Sequence, residues 1–276
     1  MGTDNPREDP VRRTRTLTLT FAVSLAATAG LVLATAAPAH AAATVNYVAL
    51  GDSYASGVGA GSESGSCRRS PNAYPVRWAA ANAPTTFVNA TCSGATTTSV
   101  INSQLGALNA ATTLVSITIG GNDVGFSSIM STCVLQGTSA CVNAVQNAEN
   151  IAQSSLPGWL DNVYNAISAR APNAIVVVVD YPVFYQLGTF CVGLSAESRA
   201  KINEGINLLD GIISSAAARH GFRFGDVRSI FVGHQLCSGG TKWLHALNFL
   251  NLGVSYHPTS AGQSGGYLPV FTATAA

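Results

Sequence analysis

Apolar residues along this chain gather in short runs that stop at polar corners, and those runs alternate with stretches of helical periodicity. Residues 45–50, 86–89, 114–119, 175–179 and 222–227 read as strands. The unbroken Ile-Val-Val-Val-Val of residues 175–179 is what a strand buried on both faces of a parallel sheet requires. Between the strands, the spacing predicts helices over 73–81, 98–108, 143–170 and 195–219. The third is expected to break at Pro157-Gly158. The fourth has Ser195 as N-cap and Glu197 in its first turn. Residues 57–70 are Gly/Ser-rich and read as loop, and a short helix or irregular tail is expected after Pro258. Strand and helix alternate with no internal repeat and no linker. The expected fold class is therefore α/β, one three-layer α/β/α sandwich around a mostly parallel five-stranded sheet.

The N-terminus changes this picture. Arg7, Arg12, Arg13 and Arg15 precede a mostly apolar run over 17–37, and Ala39-His40-Ala41 fits the small-x-small pattern of a cleavage site. We expect residues 1–41 to be a signal peptide, cleaved after Ala41, and residues 42–276 to be the exported domain. A transmembrane anchor is the competing reading, weakened by the Ala and Thr that dilute the run. Arg12-Arg13 hints at twin-arginine export, but polar Thr14, Arg15 and Thr16 follow, which favours the general secretory route. A secreted, extracellular protein is thus expected.

Charge excludes more than it identifies. Only 10% of residues are charged and the formal net charge is +1, so there is no basic stripe for nucleic acid and no polybasic segment for anionic lipid. All six cysteines lie beyond the leader, and an even count in an exported chain argues for disulfides. Sequential pairing is favoured: Cys67–Cys92, Cys133–Cys141 and Cys191–Cys237. No C-x-x-C pair or His/Asp cluster has metal-ligand spacing, so neither a metal nor another cofactor is expected.

Working groups of open parallel sheets gather at the carboxyl ends of strands. Three polar corners fall there: Gly51-Asp52-Ser53, the turn at Ser93-Gly94, and Gly120-Gly121-Asn122-Asp123. Ser53 is a candidate nucleophile or, alternatively, a helix N-cap. A base acting near neutral pH would be a histidine, and His220, His234, His245 and His257 are available. His257 and His234 rank first, and Pro258 restricts His257 to extended geometry. Backbone N–H groups at Ser53 and Gly94 and the amide of Asn122 are candidate oxyanion donors, or ordinary turn chemistry. Gly262-Gln263-Ser264-Gly265-Gly266 matches the G-x-S-x-G elbow, but its flanks lack the strand and helix that this elbow needs.

Taken together, Gly51-Asp52-Ser53, Gly94, Gly120-Gly121-Asn122-Asp123 and His257 resemble, in order and approximate spacing, the four blocks of the GDSL/SGNH hydrolases. Arg69-Ser70-Pro71-Asn72-Ala73-Tyr74-Pro75, the six cysteines and Ser255-Tyr256-His257-Pro258 look like the secreted actinobacterial lipases, esterases and phospholipases of that family. The resemblance implies a flavodoxin-like SGNH-hydrolase fold and a serine carboxylester hydrolase working through an acyl-enzyme. Ser53 would be the nucleophile, His257 the base, and Ser53, Gly94 and Asn122 the oxyanion donors. Many members carry Asp three residues before the histidine, where this chain has Val254. The subgroup therefore implies a Ser–His dyad with the Ser255 carbonyl orienting His257, and a remote carboxylate (Asp52, Asp123 or Asp180) is the rival. With no full charge beside the histidine, activity is expected to fall below about pH 6.

The expected partner is a small ester or lipid substrate, with transient contact to a lipid surface and a monomeric assembly. The loop 57–70 and the segment 181–193, with Phe184, Tyr185, Leu187 and Phe190, are expected to flank an apolar acyl site. A carbohydrate acetylesterase on the same fold is the alternative enzyme. A non-catalytic lipid- or glycan-binding protein is the alternative of another class.

Overall fold

A computed structural model describes residues 44–276, so the expected leader and its cleavage site lie outside the described residues. Five parallel strands form one sheet: β1 (Asn46–Gly51), β2 (Thr86–Asn89), β3 (Leu114–Thr118), β4 (Ile175–Val179) and β5 (Arg223–Gly225). Their order is β2-β1-β3-β4-β5, so connections wind outward in both directions from β1 and β3. The crevice at that reversal is where ligands bind in doubly wound sheets. Register pairs Gly51 at the end of β1 with Thr118 at the end of β3, which brings the corners after both strands side by side.

Helices α1 (Ser53–Ser56), α2 (Tyr74–Asn82), α3 (Thr97–Ser99), α4 (Phe126–Leu135), α5 (Gly137–Ser154), α6 (Leu156–Arg170), α7 (Ala196–Arg219) and α8 (Leu268–Ala275) complete the domain. α2 and α8 pack on each other and on the sheet, while α5, α6 and α7 form a second helical layer. Tyr47 of β1 anchors the first layer. Its ring meets Trp78 of α2 at 5.2 Å, Phe87 of β2 at 5.0 Å and Phe271 of α8 at 5.6 Å, and its hydroxyl is matched by Ser116 Oγ at 2.7 Å. Aromatic burial of this kind supplies much of a core's stabilisation, provided the polar tip is hydrogen-bonded.

Three helical expectations change, the first being the helix over 98–108, which runs as α3, a π-helical turn (Val100–Gln104) and a 3-10 turn (Leu105–Ala107). The expected break at Pro157-Gly158 lies instead at Ser155, between α5 and α6, because Pro157 occupies the first turn of α6, where its missing N–H costs nothing. Helix α4 has no counterpart among the predicted elements, although Phe126, Ile129, Met130, Cys133 and Val134 recur at helical spacing. Its Ser/Thr content and the left-handed Gly125 before it mask that period. The cysteines pair as Cys67–Cys92, Cys133–Cys141 and Cys191–Cys237. Among the described residues no helix is long and apolar enough to cross a membrane.

Candidate active site

The chain reverses from β1 into α1 within two residues, and this needs Gly51. Its φ is +123°, and a Cβ there would collide with the Thr118 carbonyl. Asp52 then caps α1, its Oδ1 accepting from Tyr54 N at 2.9 Å. Ser53 therefore opens the helix, buried at the carboxyl edge of the sheet.

Two buried glutamines hold this corner, and both lie in π-helical turns that periodicity alone does not reveal. Gln104 closes the turn Val100–Gln104 and clamps Gly51, accepting from its N–H at 2.8 Å and donating to its carbonyl at 2.9 Å. Gln263, in the turn Gly262–Tyr267, donates to the Tyr54 carbonyl at 2.9 Å and accepts from Tyr74 N at 2.8 Å. π-helical turns recur at functional sites, because the extra residue re-aims a side chain. The elbow-like Ser264 lies in the second turn with Oγ on the Ala261 carbonyl at 3.4 Å, and no strand leads into it.

His257 Nε2 stands 2.8 Å from Ser53 Oγ, and its Nδ1 is 3.0 Å from the Ser255 carbonyl. That second contact depends on Tyr256, whose φ of +65° folds the backbone so that the carbonyl two residues back meets the ring. Such a conformation is unfavourable for a bulky residue and persists only when its surroundings fix it. Here the Tyr54 hydroxyl donates to the Tyr256 carbonyl at 2.8 Å, and the Tyr256 hydroxyl accepts from that of Tyr185 at 3.3 Å. The other three candidate histidines are engaged elsewhere. His234 stacks on Trp243 at 3.7 Å, His220 meets Asp161 at 3.0 Å, and His245 meets the Gly59 carbonyl at 2.7 Å.

None of the rival carboxylates reaches His257. Asp52 Oδ2 accepts from the Tyr181 hydroxyl at 2.6 Å, Asp123 accepts from the backbone and side chain of Thr97, and Asp180 accepts from Val227 N at 2.8 Å. Burial raises the Asp52 pKa to about 7, against the hydrogen bonds from Tyr181 and Tyr54. The buried carboxyls of Asp180 and Asp210, flanking Arg228, are likewise raised by burial.

Burial also corrects the expected pH dependence. It lowers the His257 pKa to about 4, with the Ser255 carbonyl opposing the shift and the charges of Arg68 and His245 adding to it. The expectation of a fall below about pH 6 took the ring as unperturbed; desolvation of the imidazolium is the larger effect.

Gly94 is delivered by the turn after β2. The Cys67–Cys92 disulfide tethers this turn, and Cys92 N donates to the Gly51 carbonyl at 3.0 Å. Asn122 follows β3, its Nδ2 donating to the Ala95 carbonyl at 3.0 Å with one hydrogen to spare. Among the described residues, the Ser53 and Gly94 amides donate to no protein acceptor. Ser53, Gly94, Asn122 and His257 all line one groove of about 400 Å³. Its apolar wall comes from α4 (Phe126, Met130, Val134, Leu135) and from Leu247 and Leu252. That changes most of the expected acyl site, although Tyr181 and Phe184 of the 181–193 segment line a smaller space beside Ser53. The loop 57–70 contributes Arg68, but Phe184 and Tyr185 are buried, and Leu187 and Phe190 are 47% and 91% exposed and do not line the groove. Among the described residues no cluster of His, Cys, Asp or Glu is arranged to hold a metal ion.

Fold and site together define a class, the carboxylic ester hydrolases built on a doubly wound α/β sheet. The chain belongs to the GDSL-like Lipase/Acylhydrolase family, whose model matches residues 49–264. It is 55% identical to Lipase 1 of Streptomyces coelicolor over 269 residues, covering 96% of this chain and 100% of that protein. The crystal structure of the extracellular lipase of Streptomyces rimosus superposes with a TM-score of 0.82 at 52% identity, over 84% of this chain and 100% of that one. Phospholipase A1 of Streptomyces albidoflavus superposes with a TM-score of 0.83 at 53% identity and the same coverage.

Proposed function

We propose that this chain is a secreted lipolytic enzyme that cleaves carboxylic esters of long acyl chains, neutral lipid or phospholipid, through an acyl-enzyme on Ser53. The observation that carries this reading is the 2.8 Å contact between Ser53 Oγ and His257 Nε2 at the floor of an apolar groove. Secretion is supported by the leader-like N-terminus and by the similarity to the extracellular lipase of Streptomyces rimosus.

The steps follow from the geometry. Ser53 Oγ attacks the ester carbonyl carbon as its proton passes to His257 Nε2. The Ser255 carbonyl accepts from Nδ1–H, so the tautomer with a free Nε2 lone pair is the one held ready, and the imidazolium that forms is stabilised. The carbonyl oxygen becomes an oxyanion facing the Ser53 and Gly94 amides and Asn122 Nδ2. His257 returns the proton to the leaving alcohol, the C–O bond breaks, and water cleaves the acyl-enzyme by the same route.

The test is a panel of p-nitrophenyl acyl esters beside phosphatidylcholine and a triacylglycerol, with Ser53→Ala as control. Turnover of the long-chain substrates, lost in Ser53→Ala, is the expected result. Activity confined to acetyl esters would overturn the lipolytic reading in favour of a carbohydrate acetylesterase. A second expectation concerns acid. The base works only when neutral, and a folded pKa of about 4 keeps it so down to that pH. A pH profile of kcat/KM should hold between pH 7 and 5 and fall as pH drops through about 4; an acid limb near 6 would show that substrate-free His257 is solvated.

A further inference from the structure

Behind the groove lies space that the proposed reaction does not use. A pocket of about 70 Å³ lies between α4, α5 and α7, walled by Ile129, Val145, Ala148, Ile202, Ile206 and Leu209. A smaller space of about 30 Å³ touches Ser53, Asn122 and Tyr181. Both are bounded by Gly121, Phe184, Ile206 and Leu209. One residue lines these two spaces and the outer groove alike, and that residue is Phe126. Its half-buried ring stands 6.3 Å from the His257 ring and 5.8 Å from Phe184, edge-on to each. It is the first residue of α4, directly after Gly125 at φ +87°.

We infer that Phe126 is a specificity-determining partition, and that the apolar space behind it is an inner pocket for the distal methylenes of an acyl chain esterified to Ser53. The inference rests on Ser53 as nucleophile and adds where the chain ends. The occupant follows from position: the space begins at the nucleophile, its larger part is walled mainly by aliphatic side chains, and of its two carboxylates Glu149 is held by Lys201 at 2.7 Å and Asp52 by the Tyr181 hydroxyl at 2.6 Å. With the ring in place the inner space is divided from the groove, and chain length is read in the groove. With the ring turned or removed the three spaces join, and a chain gains burial at about fourfold in affinity per methylene.

The experiment compares kcat/KM for p-nitrophenyl dodecanoate and butanoate in the wild type, Phe126→Ala, Ala148→Leu and the double variant. Ala148 faces the inner pocket and not the groove, so leucine there fills the space without touching the nucleophile's side. Phe126→Ala is expected to raise the dodecanoate-to-butanoate ratio about tenfold, the gain of one to two buried methylenes. Ala148→Leu in that background is expected to return the ratio to the wild-type value. An unchanged ratio in Phe126→Ala overturns the proposal, and so does a raised ratio that survives Ala148→Leu, since a wider outer groove would then account for it. Phe126→Leu, a milder cut, must shift the ratio the same way by a smaller factor, which keeps the test decisive if the alanine variant misfolds. Failure of the nucleophile assignment reads differently: Ser53→Ala would keep its activity and its labelling by a fluorophosphonate.

Discussion

Replacing Ser53 or His257 by alanine should each lower kcat on a long-chain ester by a factor on the order of 10⁴–10⁶, and the double variant should fall no further. The two side chains form one hydrogen-bonded unit at 2.8 Å, so removing either disables the same proton transfer. Non-additivity is therefore the sharper part of the prediction, and two independent multiplicative losses would mean that the residues act in separate steps. Asp52→Asn, Asp123→Asn and Asp180→Asn complete the experiment. Each of these carboxylates is bonded to a partner other than His257, so each variant should retain activity within about tenfold of wild type, as expected for side chains outside a catalytic unit. Asp52→Asn is the most demanding of the three, because this residue caps the helix that carries Ser53. Asparagine caps about as well as aspartate, and its amide can donate to the Tyr181 oxygen, so α1 should stay in place. If one folded Asn variant loses as much as His257→Ala, that carboxylate supports the histidine and the dyad is wrong.

The strands were legible because burial on both faces leaves a direct record in composition. Residues 86–89 and 175–179 run as read, while the outer strand β5 keeps only Arg223–Gly225 of the expected 222–227, where pairing with β4 ends. Ser53, Gly94 and Asn122 were legible as residue types at strand ends and His257 as a histidine held by Pro258, although single corners looked like ordinary turns and only their order set them apart. What supports them was not. Gln104 and Gln263 act from π-helical turns, where one extra residue displaces the side chain from the position that a regular period predicts. The carbonyl that meets His257 depends on a left-handed Tyr256, a backbone choice that no residue type at that position announces. The acyl wall was misplaced for a related reason. Residues 126–135 and 247–252 meet across more than a hundred residues of sequence, and nothing local says which loops the sheet will bring to the same edge. Burial of His257 escaped in the same way, and with it the direction of its pKa.

Asn122→Ala should lower kcat by a factor of about 10²–10³ with a much smaller change in KM. The argument turns on when the interaction forms. In the resting site Asn122 Nδ2 spends one hydrogen on the Ala95 carbonyl and keeps the second, and that second hydrogen gains a full negative charge to bond only as the tetrahedral intermediate develops. A donor that strengthens in the transition state registers in kcat rather than in substrate affinity. The bond to Ala95 also braces the turn that presents Gly94, so a loss in Asn122→Ala could come from a displaced Gly94 amide instead. Asn122→Asp separates the two. Aspartate can no longer donate to the Ala95 carbonyl, and it sets a negative charge where the oxyanion forms, so it should fall below the alanine variant. Were bracing the whole effect, the two variants would lose the same factor and their melting temperatures would fall in step. Fluorophosphonate labelling of Ser53 adds a further reading, because phosphonylation also builds charge on an oxygen in that position. Labelling of Asn122→Ala should go to completion but at a rate reduced in parallel with kcat. A loss in kcat below about tenfold, far short of what one oxyanion donor is worth, would leave the Ser53 and Gly94 amides as the whole of the oxyanion site.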